Sequence, residues 1–399
     1  MNKLLFKNAE LVLENEVLAN SFLFIEGDKI QSFGPMEVCP SANESYVTYD
    51  CTGKTIMPGM IDIHVHGAGG ADFMDAVPEA VSTIADTLVK EGTTSYLATT
   101  MTQSVTQIEK ALSNIASYME VGNKPGTAEM LGIHLEGPYI NEKQKGAQLA
   151  SDILPPNHTQ FNNWQRLSGE AIRIVTLAPE LDDQHLLIRT LHETGVIGSM
   201  GHTDATYDEV KVAIESGISH ATHLFNGMRG LHHREPGVLG AALLRESVHV
   251  EVIPDGIHFH PDLVKLVCKM KGIDKILVIT DGMRAKGMHN GEYDLGGNEV
   301  IVANGKCTLK HGSSLAGSIV TMNTARKNMA SWLELSMLEQ AKITSLNQAK
   351  RLGIDHRKGS ISRGKDADIV ILDGDGDVTM TICRGNVAYN CEELSTNLI

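Results

Sequence analysis

Cysteine is sparse and scattered. Cys39, Cys51, Cys268, Cys307, Cys383 and Cys391 include no CxxC pair, so neither a disulfide framework nor a thiolate-held structural metal is expected, and the usage is that of a reducing compartment. Aromatics are also few, at 5%, and Trp164 and Trp332 are expected to be packing residues. Basic residues are outnumbered 34 to 49, which gives a net charge of −15. No Lys/Arg-rich run offers a footprint for nucleic acid or an anionic membrane, so neither partner is expected. No apolar stretch approaches the ~20 residues that span a bilayer. The apolar patch near the N-terminus is broken by Lys7, Asn8 and Glu10 and has no signal-peptide core, and a cytoplasmic location is expected.

What remains is a globular composition, 42% hydrophobic and 21% charged over 399 residues. A chain of this length buries an extended core without help, so any metal it carries serves chemistry. Short strand patterns occupy 4–13, 22–26 and 29–33, and again 367–372 and 378–383 near the other end. Two β-rich ends around a different middle predict one small β-sandwich domain assembled from both termini, residues 1–57 and 356–399. Between them, eight short apolar strands are expected at 60–66, 94–99, 131–136, 172–177, 196–201, 220–223, 249–253 and 276–280. Helical patterns at 78–90, 105–121, 183–193, 207–216, 238–245 and 261–271 separate most of them, and two more, 319–335 and 338–349, follow. Eight βα units predict an α/β fold, a (β/α)8 TIM barrel over 58–355. The Gly- and charge-rich stretch 352–364 reads as a linker back to the β domain.

In such a barrel the active site sits at the C-terminal strand ends. Strand one ends in Asp62-Ile-His64-Val-His66, strand three in Glu136-Gly-Pro138, strand five in Gly201-His202, strand six in Thr222-His223 and strand eight in Thr280-Asp281-Gly282. His64 and His66 are two apart and share a strand face. Singly, each residue has a bland reading as a satisfied core histidine or a cap. Together, four histidines and two carboxylates at five strand ends of one barrel predict a divalent metal site of one or two ions, with Zn²⁺ or Fe²⁺ ahead of Mn²⁺ and Co²⁺.

These motifs resemble the amidohydrolase superfamily. Within it, His134-Leu-Glu136-Gly-Pro138, Gly201-His202-Thr-Asp204, Thr222-His223-Leu-Phe-Asn226-Gly-Met228 and Thr280-Asp281-Gly282 resemble the N-acetylglucosamine-6-phosphate deacetylases. The resemblance implies that Glu136, His202 and His223 hold one metal, and that His64 and His66, with Glu136 bridging and Asp281 nearby, hold a second. It implies Asp281 as the catalytic acid–base, also in the metal set, and release of acetate from an N-acetyl amino-sugar phosphate in amino-sugar catabolism or cell-wall recycling. Substrate contacts are implied at Ala147, Gln148, Asn226, Gly227, Arg234, His258, Leu315, Ala316 and Gly317. Arg234, in a basic loop of an acidic chain, is the implied phosphate ligand, near the interface of a homodimer. Gln148 departs from the histidine many members carry there, and Gln cannot become cationic. Three alternatives stay open: the galactosamine epimer as substrate, another amide, or a catalytically silent barrel that serves as a binding protein. His260 is expected to be structural, and His249, His289 and His311 carry no assignment.

Overall fold

The computed structural model describes residues 2–41 and 45–392. Eight parallel strands form the central sheet: β1 (Met60–Val65), β2 (Thr93–Thr99), β3 (Glu129–Glu136), β4 (Ile172–Leu177), β5 (Ile197–Met200), β6 (His220–Ala221), β7 (His249–Val252) and β8 (Ile276–Val278). They pair in sequence order from β1 to β8. The ring closes through the residues just beyond β8: Asp281 N donates to His64 O at 2.9 Å, and His66 N donates to Gly282 O at 2.8 Å. Closure therefore fastens strand one to the Asp281 turn, two places where metal-capable side chains are expected.

Seven helices lie between the strands: α1 (Pro78–Leu88), α2 (Val105–Val121), α3 (His158–Leu167), α4 (Leu186–Glu193), α5 (Tyr207–Ser216), α6 (Gly237–Leu244) and α7 (Pro261–Lys271); α8 (Met322–Leu333) follows β8. Their burial follows helical periodicity. Helix α1 buries Ala80, Val81, Ile84, Ala85 and Leu88, the i, i+3/i+4 stripe that packs on a sheet. A capping box of Thr206 and Glu209 starts α5. The α3 helix has no counterpart among the sequence-derived helices. It starts at Asn157, whose side chain accepts from Thr159 N and Gln160 N, and buries Phe161 and Trp164.

Sequence patterning also gave no warning of an antiparallel three-stranded insertion, Gly291–Leu295, Asn298–Ala303 and Lys306–Leu309, between β8 and α8. It is fastened to the rim of the barrel, with Asn298 Nδ2 donating to Ala147 O at 2.8 Å. The helix expected over 338–349 is interrupted by a π-turn at Lys342–Leu346. There Ser345 Oγ donates to Gly59 O at 2.7 Å and Gln348 Nε2 to Val278 O at 3.1 Å, so the wider turn lets polar side chains satisfy the ends of β1 and β8.

The chain ends form one further sheet. Lys3–Val12 pairs antiparallel with Val17–Glu26 and parallel with Val47–Asp50 and Thr55–Pro58; Thr55–Pro58 pairs with Ile369–Leu372, which leads to Val378–Cys383 and Asn386–Asn390. The layers share one hydrogen-bonded path through Lys3–Val12, around a core of Leu4, Phe6, Leu23 and Ile25 with Ile369, Ile371 and Ile382.

The 352–364 stretch is no loose linker. Lys358 is 2% exposed and its ammonium meets Glu129 at 2.6 Å, Asp366 at 3.1 Å and Asp368. Arg357 bridges Glu129 and Asp366. The carboxylates of Glu129, Asp366 and Asp368 are close enough to suggest a metal cluster, but Lys358 supplies the countercharge. Burial would raise Asp366, yet Lys358, Lys29 and Arg357 bring it down to about 2 from 3.8. Its folded-state pKa is depressed, so its contribution to stability is complete above pH ~4 and is lost as pH falls toward 2. Replacing Lys358 with Met leaves the buried Asp368 without its countercharge, while Arg357 still pairs Glu129 and Asp366, with an expected loss of about 3–5 kcal/mol in urea unfolding at pH 7.

Candidate active site

The six expected metal-capable residues converge at the C-terminal mouth of the barrel. Glu136 Oε1 lies 3.2 Å from His223 Nε2, 3.3 Å from His202 Nε2 and 3.4 Å from His64 Nε2. Its other oxygen is 3.4 Å from His66 Nε2. Asp281 Oδ1 lies 3.2 Å from His66 Nε2 and 3.5 Å from His64 Nε2. Two triads result, each with ligand atoms within one metal's reach: Glu136–His202–His223 and His64–His66–Asp281. His202, His223 and Asp281 all hold positive φ (48°, 30° and 49°), a left-handed conformation uncommon for non-glycine residues. Leaving the strand in this way turns each side chain inward over the mouth.

The outer nitrogens of three imidazoles already have acceptors. His64 Nδ1 meets Glu251 at 3.0 Å, His202 Nδ1 meets Gln144 O at 2.8 Å, and His223 Nδ1 meets Asn226 O at 3.1 Å. Each acceptor places the ring proton on Nδ1 and leaves a lone pair on Nε2. His64 Nε2 has no hydrogen-bond partner, and the Nε2 atoms of His202 and His223 face each other at 3.2 Å. Two lone pairs at that distance repel unless a cation or a proton lies between them. The donor set therefore fits a divalent ion, with imidazole and carboxylate ligands whose far sides are fixed by second partners. His66 Nδ1 is buried without a partner.

Electrostatics are extreme here. Burial would raise Glu136, but where the facing imidazoles carry a proton on Nε2, His64 foremost, they hold its carboxyl well below the usual range. Burial likewise opposes the ionised form of Asp281, and His64 and His66 outweigh it, so its carboxyl titrates below the ordinary aspartate value. Both are anions at neutral pH.

Asp62, first residue of the strand-one motif, lies outside the ring of ligands. Its carboxylate accepts from Thr280 Oγ1 at 2.5 Å and from His64 N at 3.2 Å, which clamps β1 to β8. His134 is likewise structural, bonded to Ile63 O and Thr176 Oγ1, and burial pushes it down to about 3. His260 caps α7, accepting from Asp262 N, and Trp164 stacks on Tyr139.

Glu251 escaped sequence reasoning. It is fully buried in β7 between Val250 and Val252, and it bonds His64 Nδ1, His220 Nε2 at 3.1 Å and His223 N at 3.1 Å. A carboxylate inside an apolar barrel strand was the available signal, because it demands partners. Changing Glu251 to Gln removes the charge that orients His64. Metal affinity or turnover should fall about 10–100-fold, measured by metal titration beside steady-state kinetics.

The cluster floors a cavity of about 350 Å³. Of the expected substrate contacts, Ala147, Gln148, Asn226, Gly227, His258, Leu315 and Gly317 line it. Ala316 is fully buried behind the wall and Arg234 is exposed on its loop, and neither lines the cavity of its own chain. Gln148 donates to Glu136 Oε2 at 2.9 Å and accepts from Thr102 N at 2.8 Å, so it fixes the central carboxylate. Gly227 is required as glycine: at φ +56°, a Cβ there would sit 3.0 Å from His202 Nδ1. Met101, Lys143, Gln144 and Ser314 line the wall without having been foreseen, as does Leu295 from the three-stranded insertion.

Comparison with known proteins agrees with this geometry. The amidohydrolase family matches residues 55–388. The chain belongs to the amidohydrolase family. Membership makes it a metal-dependent hydrolase by family, with the particular ion left open. It is 45% identical over 395 residues, 98% of each chain, to the N-acetylglucosamine-6-phosphate deacetylase of Bacillus subtilis (strain 168). It is 36% identical to the N-acetylgalactosamine-6-phosphate deacetylase of Escherichia coli O157:H7, over 84% of this chain and 88% of that one. Among solved structures, a mutant N-acetyl-D-glucosamine-6-phosphate deacetylase of Mycobacterium smegmatis in complex with N-acetyl-D-glucosamine-6-phosphate superposes with a TM-score of 0.90 at 28% identity, covering 98% of this chain and 100% of that one. Among the described residues no helix is long and apolar enough to cross a membrane.

Proposed function

We propose that this amidohydrolase removes the acetyl group of N-acetyl-D-glucosamine 6-phosphate, yielding D-glucosamine 6-phosphate and acetate. The observation that carries the reading is the convergence of four imidazoles and two carboxylates at the barrel mouth, all but His64 lining one cavity, in a chain 45% identical over its length to a deacetylase of that sugar phosphate. His64, His66, Glu136, His202, His223 and Asp281 are the residues that would hold one or two divalent ions. A cation bound there lowers the pKa of a water and polarises the amide carbonyl.

The chain's own groups do the rest. Asp281, ionised and 8% exposed at the cavity floor, accepts a proton from the attacking water as its oxygen bonds to the carbonyl carbon. The same carboxyl then hands that proton to the amide nitrogen as the C–N bond breaks, because an amine anion would not leave. His258, held by Asp255 Oδ2 at 2.7 Å, and Asn226 present polar groups to the sugar. Leu315 and Gly317 supply apolar and backbone contact for the acetyl group. The division into a small β domain of 1–57 and 356–399 around a 58–355 barrel is supported, among the described residues, by the pairing of Thr55–Pro58 with Ile369–Leu372.

Arg234 serves the cavity of a second copy in a homodimer, a placement supported by its exposure on a basic loop outside its own cavity. A guanidinium binds phosphate in bidentate fashion. Arg234→Met should raise KM for the phosphorylated sugar about tenfold or more with kcat little changed, since it removes binding shared by ground and transition states. An unchanged KM would remove Arg234 from the site, and sedimentation of the wild type as a monomer would remove the shared cavity.

The reading is tested by acetate release from N-acetylglucosamine 6-phosphate beside the unphosphorylated sugar and the galactosamine epimer. The expected order places the phosphorylated glucosamine first. Faster turnover of the epimer would reassign the substrate, and no turnover of any of the three would discard the reading.

A further inference from the structure

A second polar cavity lies at the opposite end of the barrel. It measures about 400 Å³ and is lined by His249, Asp274, Lys275, Lys342, Lys350 and Arg351, together with Asn347. His249 opens β7 and Lys275 directly precedes β8, so this cavity sits at the N-terminal strand ends, away from the catalytic mouth. Four cations surround it in a chain whose net charge is −15. Two have acidic company: Lys342 meets Asp274 at 3.1 Å, and Lys350 lies 3.8 Å from Glu14. Among the described residues, no carboxylate lies within ion-pair distance of Lys275 or Arg351. Lys275 meets only His249 Nε2, at 3.4 Å.

Arg351 is the unusual member. It is half-buried, and burial alone pushes it down to about 10. Its Nε donates to His220 Nδ1 at 3.3 Å and one Nη2 hydrogen goes to Ser219 Oγ at 2.6 Å. A guanidinium has five N–H groups, so three are left over. Buried cations ordinarily have a countercharge, because desolvating one alone is costly. His249 Nδ1 is also buried without a partner, and burial together with Arg351, His220 and Lys275 holds that ring neutral. The cavity therefore offers donors and positive charge in excess of its acceptors.

We propose that this cavity binds a small dianionic oxyanion of the phosphate type, either inorganic phosphate or the phosphate of a monoester, held by Arg351 and Lys275 with Lys342 and Lys350 at its rim. A planar guanidinium fork facing separate ammonium groups matches the several acceptor oxygens of such an anion.

Arg351 is the outer end of a hydrogen-bonded series running through the barrel: Arg351 to His220, His220 to Glu251, Glu251 to His64. The anion is thus bound against the residue that fixes which nitrogen of His220 carries its proton.

The experiment is equilibrium dialysis of radiolabelled inorganic phosphate against the full-length wild type, the Arg234→Met variant and the Lys275→Met/Lys350→Met double variant. Neither lysine lies in the barrel core, and Arg351 is left in place to preserve the fold. The wild type and Arg234→Met should both retain one phosphate per chain that the double variant binds about tenfold or more weakly, while the double variant keeps its turnover. Displacement of that phosphate by glucose 6-phosphate assigns a monoester, and its retention assigns the free anion. Equal phosphate binding by the double variant and the wild type would overturn the proposal.

Discussion

Asp281→Asn is expected to lower kcat by about 10²–10⁴-fold, the range associated with loss of a positioned general acid–base. The amide keeps the size and position of the carboxylate but cannot take a proton from water or return one to the leaving nitrogen. Glu136, His202 and His223 remain as one complete triad, so metal content should fall by no more than one ion per chain. Because the neighbouring imidazoles hold Asp281 below the ordinary aspartate range, the wild-type base is already ionised at neutral pH. Full turnover by the variant, read as acetate release beside metal analysis, would remove Asp281 from proton transfer.

Glu136→Gln should be the more damaging change for metal. Glu136 is the one carboxylate facing four imidazole Nε2 atoms, and Gln148 donates to its second oxygen. A neutral amide there removes the anion and turns one N–H either toward an imidazole lone pair or against the Gln148 amide. Metal affinity should fall by more than the roughly 10–100-fold that loss of a supporting partner costs, with activity falling alongside it. The metal-free variant should remain folded, because the barrel closes through backbone hydrogen bonds at Asp281 and His66. Retained affinity in a metal titration would show that the two sets of histidines bind without a shared centre.

The ligand cluster was legible because strand chemistry is periodic. His64 and His66 share a face by spacing alone, and a barrel gathers its strand ends at one mouth. Helix α3 was less visible, since HTQFNNWQRL carries few apolar residues and its start signal is the single cap Asn157. The three-stranded insertion was obscured because its strands are short and half-exposed: Asn298–Ala303 alternates buried and exposed residues, a sound β pattern in a segment to which sequence patterning assigns no element. The 352–364 stretch misled for a different reason. Charge density there reads as solvation, whereas Lys358 and Arg357 are countercharges for the nearby Asp366 and for Glu129 from a distant part of the chain. Such pairing is set by tertiary structure and leaves no local trace.

The supporting layer was the least legible part of the site. Glu251, His220 and Arg351 are far apart in sequence and none belongs to a motif, yet they meet in one series beneath His64. Gln148 shows how a substitution within a motif is interpreted by its neighbours. It cannot carry the charge of an imidazolium, but it reaches Glu136 and Thr102 together, and so fixes an oxygen of the central carboxylate.

The most direct test titrates a divalent metal into the chelator-stripped chain while following acetate release from N-acetylglucosamine 6-phosphate. The account predicts negligible turnover at the start, a rise that tracks bound metal and saturates at one or two ions per chain, and loss of turnover when chelator is restored. Undiminished turnover by the stripped chain, or no acetate from a fully metal-loaded one, would contradict it.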